Sequence, residues 1–128
     1  MGQYLIDNNV ISDYFSESFS EGVMHFISDV IDQVPNVSVI TEIEALSWHA
    51  PDKIYETIIK EFIENTNVLP LSKEVVAECI QIRRSKKIKT PDAIIAATAI
   101  VHNLTLITSD LDFKNIRNLQ MLNPGDIL

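Results

Sequence analysis

Four acidic side chains follow or open apolar segments of the chain, where the strands and helices of a folded protein begin or end. Asp7 comes directly after the apolar run in "YLIDNN", and Asp110 lies two residues after "LTLI" and its threonine. Glu44 follows the β-branched run "VSVI", and Asp92 opens the segment "DAIIAATAIV". If these carboxylates meet at one edge of a sheet, they suit Mg²⁺ or Mn²⁺, which prefer oxygen ligands.

Each acid also has an ordinary structural interpretation when it is taken alone. Asp7 and Asp110 are suited to capping the turns that follow them. Glu44 fits a capping box with Thr41 as the N-cap residue. Asp92 favours a helix N-terminus electrostatically. The coincidence of all four at one edge of a sheet is what favours a functional interpretation.

The mutual repulsion of such a cluster is too large for a merely structural role. Two carboxylates about 5 Å apart repel by about 3 kcal/mol at an effective dielectric constant of about 20, and six pairs sum to the order of 10–20 kcal/mol. This repulsion exceeds the stability of a typical domain, so protons or cations must neutralise the charge. Bound Mg²⁺ or Mn²⁺ activates water and stabilises charge on a phosphoryl group. We therefore predict that Asp7, Glu44, Asp92 and Asp110 are catalytic residues that bind metal.

The charge balance is acidic, with 18 acidic and 10 basic residues and a net charge of −8. Proteins that bind nucleic acid by charge alone are usually basic, so an acidic chain must have a local basic patch, use cations, or not bind nucleic acid. The dense basic run is "RRSKKIK", which leads directly towards Asp92. It either solvates the end of a helix or contacts RNA phosphates. The residues predicted to bind nucleic acid are Arg83, Arg84, Lys86 and Lys87.

The length and composition indicate one globular domain that spans residues 1–128. Apolar residues make up 46% of the chain, which excludes a disordered protein. The single cysteine, Cys79, excludes a disulfide framework and a cysteine zinc site and fits a reducing compartment. No signal peptide and no membrane span are recognisable, so we expect a cytoplasmic protein.

Short β-branched segments alternate with segments of helical periodicity. Strands are predicted over 3–6, 37–40, 67–71, 104–108 and 120–124, and Pro70 favours an edge position for the third strand. Helices are predicted over 9–15, 21–34, 42–50, 51–63, 73–85 and 91–103, with Thr41, Ser72 and Thr90 as N-caps and Val34 in an apolar stripe. The alternation predicts an α/β fold of three layers, with a mostly parallel five-stranded sheet between helices.

Four sequence blocks, "LIDNN", "ITEIEAL", "TPDAIIAATAI" and "LITSDLDF", resemble in this order the motifs of PIN-domain ribonucleases. The resemblance extends over essentially the whole chain, and it is greatest to the VapC toxins of bacterial toxin–antitoxin pairs. It implies a PIN-like fold, Mg²⁺-dependent (or Mn²⁺-dependent) cleavage of RNA, a homodimer, and inhibition by a cognate antitoxin protein.

The resemblance also assigns roles to individual residues. The metal-binding acids of the family correspond to Asp7, Glu44, Asp92 and Asp110, with Glu42 as the weaker match to the second position. The same blocks imply that Asn9 and Thr108 support the acids and that Asp112 contributes to metal binding through water. Ser109 is a departure, since relatives often carry a basic residue there.

Two other classes of function stay open at this stage. A catalytically silent PIN-like module would bind RNA or a protein partner without cutting, although an intact set of acids argues against it. A DNA nuclease or a phosphatase is disfavoured by the lack of a clamp insertion and by Asn9, which stands where an aspartyl-phosphate phosphatase has its second acid. Trp48, four residues after Glu44, either stacks on a base or belongs to the core or a dimer surface.

Overall fold

The β-strands are only three residues long and form one parallel sheet. In the computed structural model, which describes residues 3–127, they are β1 (Tyr4–Ile6), β2 (Asn36–Ser38), β3 (Asn67–Leu69), β4 (Thr105–Ile107) and β5 (Gln120–Leu122). The strand order is β3-β2-β1-β4-β5, and every pairing is parallel. The predicted α/β fold is confirmed, and the sheet is wholly rather than mostly parallel.

Six α-helices flank the sheet within the described residues. They are α1 (Asn8–Phe15), α2 (Glu21–Asp32), α3 (Val39–Leu46), α4 (Lys53–Glu64), α5 (Lys73–Ser85) and α6 (Thr90–Val101). Short 3₁₀ turns follow β4 at Leu111–Phe113 and β5 at Pro124–Asp126. Between residues 3 and 127, none of the helices has the length and apolar character that crossing a bilayer requires.

The two faces of the sheet bury different side chains, because successive residues of a strand point to opposite faces. Leu5 and Leu106 are paired in register and pack with α5 and α6. Ile6 and Ile107, the next pair, pack with α1, α2, α3 and α4. Cys79 lies in the first of these cores, as the sequence predicted. The structure therefore has a helical layer on each face of the sheet.

Two of the three predicted N-caps are wrong. Ser38 caps α3 by accepting a 3.1 Å hydrogen bond from the Ile40 N–H, so β2 ends before the β-branched pair that the sequence assigned to it. Thr41 instead lies inside α3 and is fully buried. α6 begins at Thr90, one residue earlier than predicted, and Lys89 occupies its N-cap position without a side-chain bond. Ser72 does cap α5.

Other predicted boundaries shift by a few residues. α3 ends at Leu46 instead of continuing to residue 50, and Asp52 caps α4, which begins two residues after Pro51. α2 ends at Asp32, and Val34 is 51% exposed with φ near 57°. Val34 therefore terminates the helix and does not belong to its apolar stripe. Pro70 lies just after β3, which is an edge strand as predicted.

Candidate active site

β1 and β4 are neighbours at the point where the strand order changes direction: β2 and β3 lie beyond β1 on one side, and β5 lies beyond β4 on the other. Ligands of open parallel sheets bind beyond the carboxyl ends of the strands at such a point. Asp7 follows β1, and Thr108 follows β4 at the adjacent register position. The Asp7 N–H extends the pairing by donating to the Ile107 carbonyl at 3.0 Å. The topology thus places Asp7 at the switch point.

Asp7 is buried and accepts three hydrogen bonds. Its Oδ1 accepts from the Asn8 N–H at 2.8 Å, which also makes Asp7 the N-cap of α1. Its Oδ2 accepts from the Thr108 hydroxyl at 2.7 Å and from Asn9 Nδ2 at 2.9 Å. The structural role as a cap and the position in the acidic cluster therefore coexist. Asn9 and Thr108, the two supporting residues expected from the sequence, both contact Asp7 directly.

Asp92, Asp110 and Asp112 bring one carboxylate oxygen each to within 4.8 Å of one another. Asp92 lies in the first turn of α6. Asp110 caps the 3₁₀ turn after β4, where its Oδ1 accepts from the Asp112 N–H at 2.9 Å. Asp112 is exposed, and its carboxylate lies in the same tight group as the two others. This group offers the all-oxygen donor set that Mg²⁺ and Mn²⁺ prefer.

Glu44 on α3 lies near these acids, because the charges of Asp7 and Asp92 act on its carboxylate, although the 4.8 Å group found within residues 3–127 does not include it. Residues two apart on a helix do not face the same side, so Glu42 does not share the orientation of Glu44. Because Ser38 caps α3, Glu44 does not occupy the third helical position, and the capping-box interpretation is wrong. Thr41, one turn earlier, has a buried hydroxyl that finds no hydrogen-bond partner among residues 3–127.

The pKa values of three acids are raised. Burial raises the pKa of Asp7 most; hydrogen bonds from Thr108 and Asn8 oppose this effect, and the charge of Asp110 adds to it. For Glu44, partial burial raises the pKa, followed by the charges of Asp7 and Asp92. For Asp92, burial raises the pKa, followed by the charges of Asp110 and Asp7. The cluster therefore holds negative charge that a bound cation would stabilise.

The basic run borders the cluster from the end of α5. Lys86 Nζ donates to the Lys114 carbonyl at 2.5 Å, and Lys114 directly follows the turn that carries Asp110 and Asp112. Arg83 Nε donates to the Ile88 carbonyl at 3.2 Å, so these two residues already have structural partners. Arg84 and Lys87 are exposed, and no hydrogen bond of their side chains is found within residues 3–127.

Lys89 and Ser109 were not predicted as site residues. Lys89 is exposed, and its positive charge lowers the pKa of Asp92. Its position three residues before Asp92 was the available sequence signal. Ser109 donates to Asn9 from both its N–H and its hydroxyl. No local pattern marks that contact, since the two residues are 100 positions apart.

An apolar cleft of about 570 Å³ opens beside Glu44. Trp48 is 47% exposed and therefore not part of the core, and Tyr55 on α4 is 44% exposed. The side chains that line the cleft include Ile11, Phe15, Glu44, Trp48, Tyr55 and Ile59. The acidic cluster is thus continuous with an apolar, aromatic surface.

Residues 4–119 match the family model of the PIN domain. The chain belongs to the PIN domain family. The match covers the first four strands and the four acids and ends just before β5, and the resemblance read from the sequence blocks is confirmed.

Solved structures similar to this PIN domain include a toxin–antitoxin complex. FitAcB from Neisseria gonorrhoeae superposes with a TM-score of 0.79 and 26% identity over 97% of this chain and 99% of the other. A toxin–antitoxin complex from Klebsiella pneumoniae gives a TM-score of 0.72 and 28% identity over 94% and 97%. VapBC2 from Rickettsia felis, bound to promoter DNA, shares 19% identity over 94% and 97%, with a TM-score of 0.77, which supports the fold alone. No curated protein sequence matches the chain.

Proposed function

We propose that this PIN domain is a metal-dependent endoribonuclease, and that it is the toxin of a toxin–antitoxin pair. The observation that carries the proposal is the group of carboxylates at the switch point: Asp92, Asp110 and Asp112 approach within 4.8 Å. The charge of Asp7 acts on Asp92, and the charges of Asp7 and Asp92 act on Glu44. Such a group is costly to the apo fold and is understandable as a cation site.

The residues that would hold the metal are Asp7, Glu44, Asp92 and Asp110, with Asp112 contributing through water. The donor set fits Mg²⁺ or Mn²⁺, because it consists of carboxylate oxygens without nitrogen or sulfur ligands. A bound ion of this kind supplies an activated water and stabilises charge on the phosphoryl group. The chain itself orients Asp7 through the donors of Asn8, Asn9 and Thr108.

RNA is the proposed substrate, and the basic run is its proposed contact surface. Arg84 and Lys87 are exposed and available for phosphates. Lys89 is near enough to the acids for its charge to lower the pKa of Asp92. Arg83 and Lys86 hold the loop between α5 and α6 and are suited to a supporting role. The run thereby supplies local positive charge in an acidic protein, as the phosphate backbone requires.

An antitoxin protein is the proposed partner, since a similar solved structure, that from Klebsiella pneumoniae, is a toxin–antitoxin complex. The cleft beside Glu44 supports this proposal, because its exposed tryptophan and tyrosine provide the amphipathic anchors that protein interfaces favour. A partner segment in this cleft would lie against Glu44 and obstruct the site.

A homodimer is the proposed assembly. Exposed apolar side chains on and just before α5 support it: Val76 and Ile80 lie one turn apart, and Leu71 lies beside the same groove. Sedimentation velocity of the purified protein tests this assembly, and a monomer at micromolar concentration would contradict it.

The proposed activity is tested with one RNA oligonucleotide and a DNA oligonucleotide of the same sequence. We expect RNA to be cut in Mg²⁺ or Mn²⁺, DNA to be cut far more slowly, and both reactions to stop in EDTA. RNA that is bound but remains intact in both metals would favour the silent binding module. Equal cutting of both nucleic acids would favour a general nuclease.

A further inference from the structure

Ser109 donates two hydrogen bonds to the side-chain oxygen of Asn9. Its hydroxyl donates to Asn9 Oδ1 at 3.0 Å, and its backbone N–H donates to the same oxygen at 3.3 Å. Ser109 itself lies between Thr108 and Asp110, in the loop that leaves β4. The Asn9 amide oxygen is therefore held from the loop that carries the last acid of the cluster.

The other end of the Asn9 amide serves Asp7. Asn9 Nδ2 donates to Asp7 Oδ2 at 2.9 Å and to the Thr108 hydroxyl oxygen at 3.2 Å. A reversed amide would set its NH₂ group against the Ser109 N–H and its oxygen against the Asp7 carboxylate. Both contacts are repulsive, so the hydrogen-bond pattern selects one orientation.

The Asn9 side chain is consequently a crosslink between the first turn of α1 and the loop after β4. Thr108 reinforces it, since its oxygen accepts from the Asp110 N–H at 3.1 Å. Asp7 and Asp110 are attached to the two sides of this crosslink, and their mutual repulsion acts to separate them. The contact of Ser109 with Asn9 opposes that separation.

We propose that Ser109 is a positioning residue of the acidic cluster, which acts through Asn9 to keep Asp7 and Asp110 at the separation that a divalent cation requires. The proposal rests on the proposed metal site. It gives Ser109 a function directed to the protein's own acids instead of to the substrate.

Two readouts separate positioning from a substrate contact. Outer-shell partners of metal ligands affect metal affinity, with losses that reach about tenfold or more when they are removed. Ser109→Ala should therefore weaken Mn²⁺ binding by about tenfold and lower the rate of RNA cleavage at limiting Mn²⁺. Saturating Mn²⁺ should restore the rate, and KM for RNA should stay unchanged. Ser109→Thr retains the hydroxyl and should retain the parent's Mn²⁺ affinity.

The experiment measures Mn²⁺ affinity by calorimetry and RNA cleavage across a Mn²⁺ titration, with melting curves in EDTA for every variant. Ser18→Ala is the matched control, because Ser18 is an exposed serine whose hydroxyl pairs with Ser16. Mn²⁺ affinity of Ser109→Ala within twofold of the parent would overturn the proposal, as would a raised KM for RNA at unchanged Mn²⁺ affinity. A parent that binds Mn²⁺ without cutting RNA would overturn the proposed nuclease, and the Mn²⁺ affinities would still decide the role of Ser109.

Discussion

Asp7 and Thr108 lie side by side at the carboxyl ends of the two central strands, and the Thr108 hydroxyl donates a 2.7 Å hydrogen bond to Asp7 Oδ2. The same hydroxyl oxygen accepts from the Asp110 N–H and from Asn9 Nδ2. With both acceptor positions occupied, the single hydroxyl proton is directed to Asp7. One fully buried threonine thereby links three residues of the cluster.

Replacement of this threonine should affect both stability and function. Thr108→Val keeps the shape and removes the donor to Asp7, so we expect a loss of about 1.5–3 kcal/mol in the free energy of unfolding. Thr98→Val is the matched control, since Thr98 is equally buried and its hydroxyl donates to the Ile94 carbonyl of α6. Urea denaturation of both variants measures the difference. A loss no larger for Thr108→Val than for Thr98→Val would contradict the special role of the bond to Asp7.

Neutralising Asp7 should stabilise the metal-free protein at neutral pH. The folded pKa of Asp7 is raised, mainly by burial, above the unfolded value near 4, so the folded state binds more protons between the two values. The contribution of Asp7 to stability is therefore present below about pH 4 and is lost as pH rises through the folded pKa. In EDTA at pH 7.5 we expect Asp7→Asn to be more stable than the parent by about 1–3 kcal/mol.

The pH dependence of this difference provides the control. As the pH falls towards the unfolded value near 4, the parent carboxyl becomes increasingly protonated in the folded state, so the two melting temperatures should converge. Saturating Mg²⁺ at pH 7.5 should reduce or reverse this difference in stability, because a ligand at a hundredfold excess over Kd adds about 2.7 kcal/mol to the free energy of unfolding of the parent. A mutant that melts below the parent in EDTA at pH 7.5 would show that Asp7 acts mainly as the cap of α1.

The conformation of Val34 should lower the stability of the protein. A β-branched residue in the left-handed region is strained, by about 1–2 kcal/mol, and this one gains little from burial because it is half exposed. Val34→Gly should therefore raise the free energy of unfolding by about 1 kcal/mol. Asn103→Gly is the matched control: Asn103 follows α6 as Val34 follows α2, with φ near 54°, and asparagine tolerates this region. The measurement is the melting temperature in EDTA. Equal changes for the two substitutions would contradict the proposed strain at Val34.

The basic run should divide into residues that bind RNA and residues that hold the loop. Arg84→Gln with Lys87→Gln should leave the melting temperature unchanged and lower the salt dependence of RNA binding by about 1.4 units of slope, for two lost single-strand phosphate contacts. Arg83→Gln with Lys86→Gln should lower the melting temperature, since both side chains bond to backbone carbonyls. Fluorescence anisotropy across a salt series measures the slope. An unchanged slope for Arg84→Gln with Lys87→Gln would indicate that the basic run only solvates the end of the helix and does not contact RNA.

The sequence predicted the alternation of strands and helices and the four acids, because parallel strands with buried faces leave short β-branched runs that end in polar residues. It misplaced the start of α3, since Val39 and Ile40 have strand propensity and only the packing of the folded chain makes them helical. The prediction for Val34 was wrong for a related reason. Its spacing continues the apolar stripe of α2, but the helix ends at Asp32 and the backbone of Val34 is left-handed.

The contacts within the site were less accessible to sequence reasoning. Asn9 and Ser109 meet from positions 100 residues apart, so neither neighbourhood contains a signal for the other. The shift of the α3 cap to Ser38 was equally hidden, and it changes the interpretation of Glu44, which no longer has a capping role. The acids could be predicted from the sequence because the proposed metal site requires their residue type, whereas the contacts that hold them depend on the fold.

The most direct test of the account compares Glu44→Gln with Glu42→Gln in one RNA cleavage assay. The charges of Asp7 and Asp92 act on Glu44, and Glu42, two residues away on α3, does not share its side of the helix. In Mn²⁺ we expect Glu44→Gln to lose about a hundredfold or more of the rate, Glu42→Gln to retain it, and EDTA to abolish the activity of the parent. Cleavage by the parent that continues in EDTA, or equal losses for the two variants, would contradict a metal-dependent nuclease centred on these acids.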